Sequence, residues 1–388
     1  MTVASIPGAL ELETISSFEE FGRLGGEWDG LVRAMPRPSP FLLHPWLQTW
    51  WHHYGEGATL AVHVARQDGR LVGAAPLVVR SHLGLPVARF LGGRQSALAD
   101  LLVAPEAEPS VANELAVRIA HSEAAYLDVY GLPRSSRLAE ALGPSLEVIE
   151  RVEAPVLDLT DGWEAVYQAK TSSKKRNLHR RRRRQLGELG RLEVHVAKEP
   201  EALLAALEEA FRLHLLRWDG RPDGSGFVTP VGQRFHRAAV LRLAEFDIPR
   251  IVLLSVDGRA IAFHYYLALE GCMYVHRLAF DPAFARYSPG LVNTLDTLEA
   301  AAAEGLKRVE FLGGAERYKL ELADGFDPLC HGLGMARGLR ARSLVMAQLG
   351  IIRVRLRLKE SPALRRLYVD GLAPLRRIVA RSGDALRR

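Results

Sequence analysis

The sequence predicts an α/β protein with mixed sheets of the α+β kind, built as two tandem domains and followed by a basic helical tail. A chain of 388 residues is too long for one ordinary core, so two domains are expected. Strand and helix patterns alternate along the chain, and the same order of elements occurs twice. Aliphatic and basic residues then alternate from residue 336 to the end.

The composition is typical of a soluble globular protein. Hydrophobic residues make up 48% of the chain, and the mean hydropathy is -0.02. No apolar run is long enough for a transmembrane helix, and the N-terminal segment lacks the pattern of a secretory signal. Cys272 and Cys330 provide neither a disulfide framework nor zinc-site spacing, and the histidines lack the spacing of a helical metal site. We therefore expect a cytoplasmic protein without a bound metal.

Residues 1–158 are predicted to form the first domain. Its predicted elements are strands at 10–16, 60–65, 71–80, 87–91, 100–103 and 126–130, and helices at 18–35, 41–55, 109–121 and 136–142. The Asp68-Gly69 pair favours a tight hairpin between the second and third strands. A linker is expected at 153–158, followed by the second domain at 159–335 and the tail at 336–388.

The second domain is predicted to repeat the order of the first. Its predicted elements are helices at 163–184, 203–215, 231–245 and 289–302, and strands at 192–196, 251–256, 260–269, 272–280 and 307–312. The segments HVARQDGRLVGAAPL and LLSVDGRAIAFHYYL correspond, and each contains an Asp-Gly turn. An internal duplication explains this correspondence better than chance.

The two copies differ in the loop before the long helix. In the second domain this loop ends in Tyr287-Ser288-Pro289-Gly290, where Ser288 suits an N-cap and Pro289 the first helical position. Gly290 leaves the backbone bare where N–H groups meet the positive helix end, so a phosphate or another anion is expected there. The corresponding loop of the first domain, PEAEPSVANEL, carries acids that repel phosphate. The alternative in the second domain is an ordinary capped crossover helix.

Positive charge is concentrated in two segments. Residues 174–184, KKRNLHRRRRR, contain eight Lys or Arg and no acid, and the tail contains fourteen Lys or Arg against three acids. No RNA-binding module with stacking aromatics accompanies the first run, which disfavours nucleic acid. Its cations point all round the predicted helix, so some of them are expected to contact protein or ligand. The tail suits either an anionic membrane surface or helices packed across the domains with their arginines outward.

This order of elements resembles the GNAT acyltransferase superfamily, in particular its tandem-domain branch of CelD-like and FemAB-like proteins. The resemblance covers the chain to about residue 335 and is carried by SPFLLHPWLQTWW, TSSKKRNLHRRRRRQL, YSPG and GGAERYK. The superfamily's pyrophosphate loop, Q/R-x-x-G-x-G/A, is matched only in part. The resemblance implies a bent mixed sheet in each half, with acyl-CoA bound in the second half. The implied donor contacts are Phe280, Arg286, Tyr287, Ser288, Gly290 and Leu291.

The resemblance also implies catalytic positions. Tyr318 matches the place of a general-acid tyrosine, and the alternative is a tyrosine packed over the cleft. Glu316 is expected to orient the acceptor or relay its proton, unless it is a solvated helix charge. His264 is a third catalytic candidate, on the acceptor side of the cleft. Asp281 and His276 are base candidates, although a lone histidine in an apolar strand is usually a core residue.

Four cations are candidates for substrate binding. Lys174, Lys175 and Arg176 lie nearest the expected helix break at 171–173. Lys319 follows Tyr318 and suits an acidic acceptor or a phosphate, and its alternative is again a solvated helix charge.

The expected function is transfer of an acyl group from acetyl-CoA or another acyl-CoA to an amine, with acetyl the favoured group. Members of this branch are associated with surface polysaccharide or envelope biosynthesis, so an amino sugar, free or nucleotide-linked, is the favoured acceptor. The alternatives are a FemAB-like transferase that uses aminoacyl-tRNA and a non-catalytic basic protein that binds a membrane or nucleic acid. Peripheral contact with the inner membrane surface through the tail is a further expectation.

Overall fold

The computed structural model describes residues 9–107, 109–218, 226–313 and 317–360. The strands are β1 (Leu10–Ile15), β2 (Ala58–Gln67), β3 (Arg70–His82), β4 (Leu85–Phe90), β5 (Leu102–Val103), β6 (Tyr126–Pro133), β7 (Leu146–Val152), β8 (Pro155–Asp158), β9 (Leu192–Ala197), β10 (Pro249–Val256), β11 (Arg259–Leu269), β12 (Cys272–Phe280), β13 (Arg308–Glu310), β14 (Gly325–Phe326) and β15 (Leu329–Gly334). The α-helices are α1 (Phe18–Gly22), α2 (Gly25–Ala34), α3 (His44–Tyr54), α4 (Ser110–Ala120), α5 (Arg137–Leu142), α6 (Trp163–Lys170), α7 (Ser173–Gly187), α8 (Pro200–Trp218), α9 (Pro230–Ala244), α10 (Pro289–Ala303), α11 (Arg317–Leu322) and α12 (Gly338–Glu360).

Two mixed sheets form the framework, which confirms the predicted fold class. Among the described residues, the first sheet has eight strands in the order β1-β2-β3-β4-β6-β15-β7, with β5 beside β3. The second has seven, in the order β14-β8-β13-β12-β11-β10-β9. Each sheet contains a parallel pair, β4 with β6 in the first and β12 with β13 in the second. A helix, α4 or α10, connects the two strands of each parallel pair, as parallel pairing requires.

The two Asp-Gly hairpins have the same turn geometry. Asp68 and Gly69 have φ values of +51° and +76°, and Asp257 and Gly258 have +49° and +76°. Positive φ at both central residues defines the type I′ turn, whose twist matches that of the flanking strands. The predicted hairpins are therefore confirmed in both halves.

The halves exchange one strand each. β8 comes from the first half but lies between β13 and β14 of the second sheet. β15 comes from the second half but lies between β6 and β7 of the first sheet. The predicted linker at 153–158 is therefore wrong, because Pro155–Asp158 is a strand whose Leu157 is buried in the second half. Residue 158 does not separate the two sheets.

The interface between the halves is aromatic and charged. Trp46 of α3 meets Phe235 of α9 edge-on, with ring centroids 5.0 Å apart. Arg37 donates two hydrogen bonds, of 3.1 and 2.6 Å, to the carboxylate of Glu310, which is fully buried on β13. A buried carboxylate is stable only when it is paired in this way. The two halves are thus packed as one unit.

The described part of the tail is a helix on the first sheet. Ala341, Val345 and Leu349 of α12 are buried against residues of β4, β6 and β15. Leu339 and Met346 point outward and are 82% and 61% exposed. No helix in the described part of the chain combines the length and apolar character needed to cross a membrane. Residues 361–388 of the predicted tail lie outside the described residues.

Candidate functional site

The central feature of the second half is a gap between two parallel strands. β12 and β13 pair at Cys272–Arg308, Met273–Val309 and Tyr274–Glu310. β13 then ends, whereas β12 continues to Phe280. The sheet therefore opens beyond Tyr274, and the backbone groups on the edge of β12 that does not pair with β11 face the gap. Buried backbone groups need hydrogen-bond partners, so this opening suits an extended polar chain such as an amide-bearing arm.

The loop from β12 to α10 is fixed by Asp281. One oxygen of this buried carboxylate accepts a 3.0 Å hydrogen bond from the Ala283 N–H, and the other pairs with Arg259 at 2.8 Å. Such a fully engaged carboxylate holds the loop, and this arrangement favours a structural role for Asp281 over that of a base.

The loop ends at the predicted helix start, with one difference. Ser288 is at the N-cap position of α10 but has φ +57°, in the left-handed region, and its side chain makes no capping hydrogen bond. Gly290 is packed more tightly than an anion site alone would require, since a Cβ there would lie 2.9 Å from Cδ1 of Phe280. Phe280 and Gly290, both assigned to donor binding by resemblance, thus contact each other. Leu291 follows at a half-buried position of the first turn.

The basic helix α7 lies beside this loop. Leu186 packs in an apolar cluster with Val292 of α10, and Phe280 and Tyr287 border that cluster. The Arg182 guanidinium donates a 2.5 Å hydrogen bond to the carbonyl oxygen of Arg286, whose own side chain stacks on Tyr287 with its guanidinium carbon 4.6 Å from the ring centre. The loop from β12 to α10 therefore lies in a strongly positive field, which favours binding of phosphate groups.

A second contact joins α7 to α10 directly. Arg183 forms an ion pair with Asp296, two turns after the start of α10. Burial raises the pKa of the Asp296 carboxyl, and the ion pair with Arg183 opposes that shift. The basic run at 174–184 was expected to contact either protein or ligand. Its residues Arg182 and Arg183 contact protein.

The first turn of α7 lies near α11 instead. Lys175 pairs with Glu321 of α11 at 3.2 Å. Arg176 donates to the backbone carbonyls of Thr171 and Gln168 and so holds the break between α6 and α7. Lys174 is exposed at the start of the helix.

α11 carries the remaining catalytic candidates. Tyr318 is half-buried in its first turn. Lys319 is buried and donates a 2.6 Å hydrogen bond from Nζ to the carbonyl oxygen of Gly313, so it is not a solvated helix charge. Glu316 lies outside the described residues.

Buried histidines lie on both faces of the second sheet. His264 on β11 is 1% exposed, and within the described residues neither ring nitrogen has a hydrogen-bond partner. Burial, followed by the positive charge of Lys319, lowers the pKa of His264 to about 3. The imidazole is therefore neutral at physiological pH and lies within the field of Lys319.

His276 on β12 lies in a cluster of rings between the two halves. Its ring centre is 5.5 Å from that of Phe41, 5.6 Å from that of Trp46 and 5.1 Å from that of Tyr265. Within the described part of the chain, both nitrogens of His276 and the hydroxyl of Tyr265 are buried without a hydrogen-bond partner. Burial also moves the pKa of His276 well below its ordinary value. Unsatisfied buried polar groups are rare, so this cluster is a candidate contact for a polar substrate.

Comparison with known proteins identifies the fold of this site. Residues 173–320 match the family model described as acetyltransferase (GNAT) domain. This segment is a GNAT domain. The match confirms the resemblance and gives the protein an acyltransferase domain, which spans α7, the gap, α10 and most of α11. No protein in a search of curated sequences matches the chain.

Solved structures share the fold over nearly the whole chain. The structure of FemX has a TM-score of 0.55 at 11% identity and covers 82% of this chain and 96% of its own. A conserved protein of unknown function from Bacteroides thetaiotaomicron VPI-5482 has a TM-score of 0.53 at 13% identity, covering 84% and 100%. The C-terminal domain (DUF2156) of a putative lysylphosphatidylglycerol synthetase from Agrobacterium fabrum has 0.51 at 11% identity, covering 85% and 95%. These likenesses concern the fold alone.

The GNAT domain brings most of the predicted residues into two groups. One group combines Phe280, the 286–291 segment and α7, and the second combines His264 with α11. The sequence pointed to the start of the basic run and did not indicate Arg182 and Arg183, which contact the loop before α10 and α10 itself. The unbroken run of arginines was a signal for this contact, but it did not show which of them face inward. In the described residues there is no group of three or more His, Cys, Asp or Glu side chains that fits a metal ion.

Proposed function

We propose that this protein is an N-acyltransferase that moves an acyl group, acetyl in the first instance, from acyl-CoA to an amine. The observation that carries the proposal is the gap between β12 and β13, which opens beside the first turn of α10 and the arginines of α7. The gap suits the amide-bearing arm of the donor. Arg286 at the loop suits its phosphates, and Arg182 and Arg183, which contact the loop and α10, add positive charge beside it.

The reaction needs little covalent machinery. The amine nitrogen attacks the thioester carbonyl carbon, the carbon–sulfur bond breaks, the nitrogen loses one proton and the thiolate leaving group gains one. Backbone N–H groups of β12 beyond Tyr274 are the proposed hydrogen-bond donors to the developing oxyanion. Tyr318 is the proposed proton donor to the thiolate, because it stands half-buried at the start of α11, at the place the resemblance gives to a general acid.

The proposed acceptor enters between the two halves, where His276 and Tyr265 offer buried polar atoms. An amino sugar, free or nucleotide-linked, suits such a site, and Lys174, Lys175 and Arg176 are the proposed contacts for its anionic groups. Surface polysaccharide or envelope biosynthesis is the proposed setting.

A second candidate is a transferase that takes an aminoacyl group from tRNA. Lys174, Arg180, Arg181 and Arg184 form an exposed basic face on α7, which suits a nucleic-acid backbone. The fold shared with FemX is compatible with this alternative. A basic binding protein without catalysis is the third.

Acetyl-CoA titration of the full chain by calorimetry tests the donor. We expect binding that is lost in Gly290→Glu, weakened by Arg286→Glu and unchanged by Arg70→Glu, a matched charge reversal at an exposed position of the first half. Arg286→Glu is needed because any side chain at 290 also meets Phe280. Thermal stabilisation by charged tRNA but not by acetyl-CoA would favour the second candidate. If neither ligand shifts melting, the binding-protein interpretation holds.

We also propose a peripheral location at the inner face of the cytoplasmic membrane. The outward face of α12 carries exposed Leu339, Met346 and Ile351 among arginines, which suits an anionic lipid surface. Sedimentation with vesicles of phosphatidylglycerol and phosphatidylcholine should remove the protein from solution, and Met346→Glu with Ile351→Glu should release it. Equal sedimentation with vesicles of phosphatidylcholine alone would contradict an electrostatic contact.

A further inference from the structure

The first half contains a cavity of about 300 Å³ that the proposed acyl transfer does not use. It lies where β4 and β6 separate, since these strands pair in parallel only at Val87–Tyr126 and Ala88–Leu127. This is the counterpart, in the first sheet, of the gap between β12 and β13. The acidic loop that was expected to repel phosphate precedes α4 and does not line this cavity.

The lining of the cavity has an excess of positive charge. Arg80, Arg89 and Arg94 face it, against one carboxylate, Asp128. That carboxylate is already engaged, because it accepts hydrogen bonds of 3.0 and 2.9 Å from Arg89 and contacts His331 at 2.8 Å. Arg80 donates to the carbonyl oxygens of Tyr54 and Glu56 at the end of α3. Within the described residues Arg94 forms no ion pair. Its guanidinium carbon lies 6.0 Å from the ring centre of Tyr130.

Flat rings form the walls of the same cavity. Trp50 and Tyr130 face it, and Tyr130 stacks on His331 of the exchanged strand β15, with centroids 3.9 Å apart and planes 15° apart. This stacking fixes one face of the Tyr130 ring, which is 38% exposed. Gly93 lines the cavity beside the Trp50 ring. A side chain is disfavoured at this position, because φ is +51° and a Cβ would lie 3.1 Å from that ring. Among the described residues, backbone and rings thus shape the cavity, and no side chain fills it.

We propose that this cavity binds an organic anion, a flat ring carrying a carboxylate or a phosphate ester. The ring would stack on Tyr130, and the anionic group would pair with the Arg94 guanidinium at the rim. A volume of about 300 Å³ is at the lower end for small-molecule sites and suits a ligand with one or two rings. The proposal does not rest on the function proposed for the second half.

The test is calorimetric titration of the full chain with 2-naphthoate and, separately, with adenosine 5′-monophosphate. We expect at least one of the two to bind, while inorganic phosphate and adenosine, which each lack half of the recognised chemistry, bind at least about tenfold more weakly. The two ring-bearing probes distinguish a carboxylate from a phosphate ligand.

Variants locate the binding in the first half. Arg94→Gln and Tyr130→Ala should each weaken binding by about tenfold or more, and Tyr130→Phe should restore it. Arg134→Gln, a matched neutralisation of an exposed arginine outside the cavity, should leave affinity unchanged. Arg286→Glu, in the loop between β12 and α10 of the second half, should also leave the affinity for the probes unchanged. Failure of both probes to bind, equal effects of Arg94→Gln and Arg134→Gln, or loss of binding in Arg286→Glu would each overturn the proposal.

Discussion

Burial of His264 in the candidate site makes the folding stability of the protein depend on pH. An unfolded histidine titrates near pH 6.5, whereas burial and then the Lys319 charge lower the pKa of His264 to about 3. Between these values the unfolded chain binds a proton that the folded protein does not, so folding stability decreases as the pH falls through this window. Each such histidine contributes a slope of up to about 1.4 kcal/mol per pH unit. His63, whose pKa is lowered to about 4 by burial, acts in the same direction.

Urea unfolding at about pH 7, 6 and 5 measures this slope. His264→Gln removes one titrating group, so the free energy of unfolding of this variant should depend less steeply on pH than that of the unsubstituted protein. An identical slope in both proteins would mean that His264 is not held neutral by the fold.

Tyr318 is the residue whose role depends most on the proposed chemistry. Tyr318→Phe keeps the half-buried ring and removes the hydroxyl, so the variant should fold normally and bind acetyl-CoA with unchanged affinity. Turnover should drop by roughly 10²–10⁴-fold if the hydroxyl donates the proton to the thiolate. Initial-rate kinetics with the acceptor amine, beside calorimetric donor affinity, separates the two effects. Unchanged turnover would remove Tyr318 from the mechanism.

Individual residues were predictable where local geometry decides them. Asp68-Gly69 and Asp257-Gly258 form the expected turns because positive φ at two successive positions restricts the sequence strongly. Gly290 was associated with an anion, but its close approach to Phe280 involves a residue ten positions away. Such a contact depends on how the strand leads into the helix, and the spacing of residues in the sequence does not encode it.

At the scale of elements, the contacts of the basic helix α7 indicate which of its arginines stabilise the proposed donor site. Arg183 pairs with half-buried Asp296, whereas the next residue, Arg184, is 73% exposed and lies 3.6 Å from Glu188. Arg183→Ala should lower the free energy of unfolding by about 1–3 kcal/mol and weaken acetyl-CoA binding, because it leaves the Asp296 carboxylate without its partner.

Arg184→Ala removes the same charge from the same helix and is the matched control. Its effect on stability should be below about 0.5 kcal/mol, since exposed ion pairs contribute little. Urea unfolding and calorimetry on both variants make the comparison. Equal losses would mean that the net charge of α7, and not the contact with α10, determines donor affinity.

The sequence located α7 but could not orient it. Cations on every face of the helix leave no apolar stripe long enough to indicate the buried side, so Lys174, Lys175 and Arg176 were selected for their closeness to the helix break alone. Leu186, the buried residue of the helix, is the single apolar anchor that identifies the side facing α10.

At the scale of the whole molecule, the exchanged strands make each half incomplete without the other. The two-domain order was evident from the duplicated hairpins. However, β8 has four residues and β15 ends in HGLG, which gives no strand periodicity. Gly332 and Gly334 are required there by packing, since a Cβ at Gly332 would lie 2.8 Å from Leu132 and one at Gly334 only 2.2 Å from the Ser145 carbonyl. Pairing between strands 150 or more residues apart in the chain is a tertiary property, so the sequence pattern alone could not assign these strands to sheets.

The exchange leads to a prediction about fragments. Residues 1–158 lack β15 and residues 159–388 lack β8, so neither fragment alone should show a cooperative thermal transition, whereas co-expression should yield a complex that does. Residues 155–388 restore β8 between β13 and β14 and are the matched control, because burial of Leu157 alone contributes about 1.5–3 kcal/mol. This longer fragment should be more stable than 159–388 in circular-dichroism melts. A cooperative transition in isolated 159–388 at the temperature of the intact protein would show that β8 is dispensable to the second sheet.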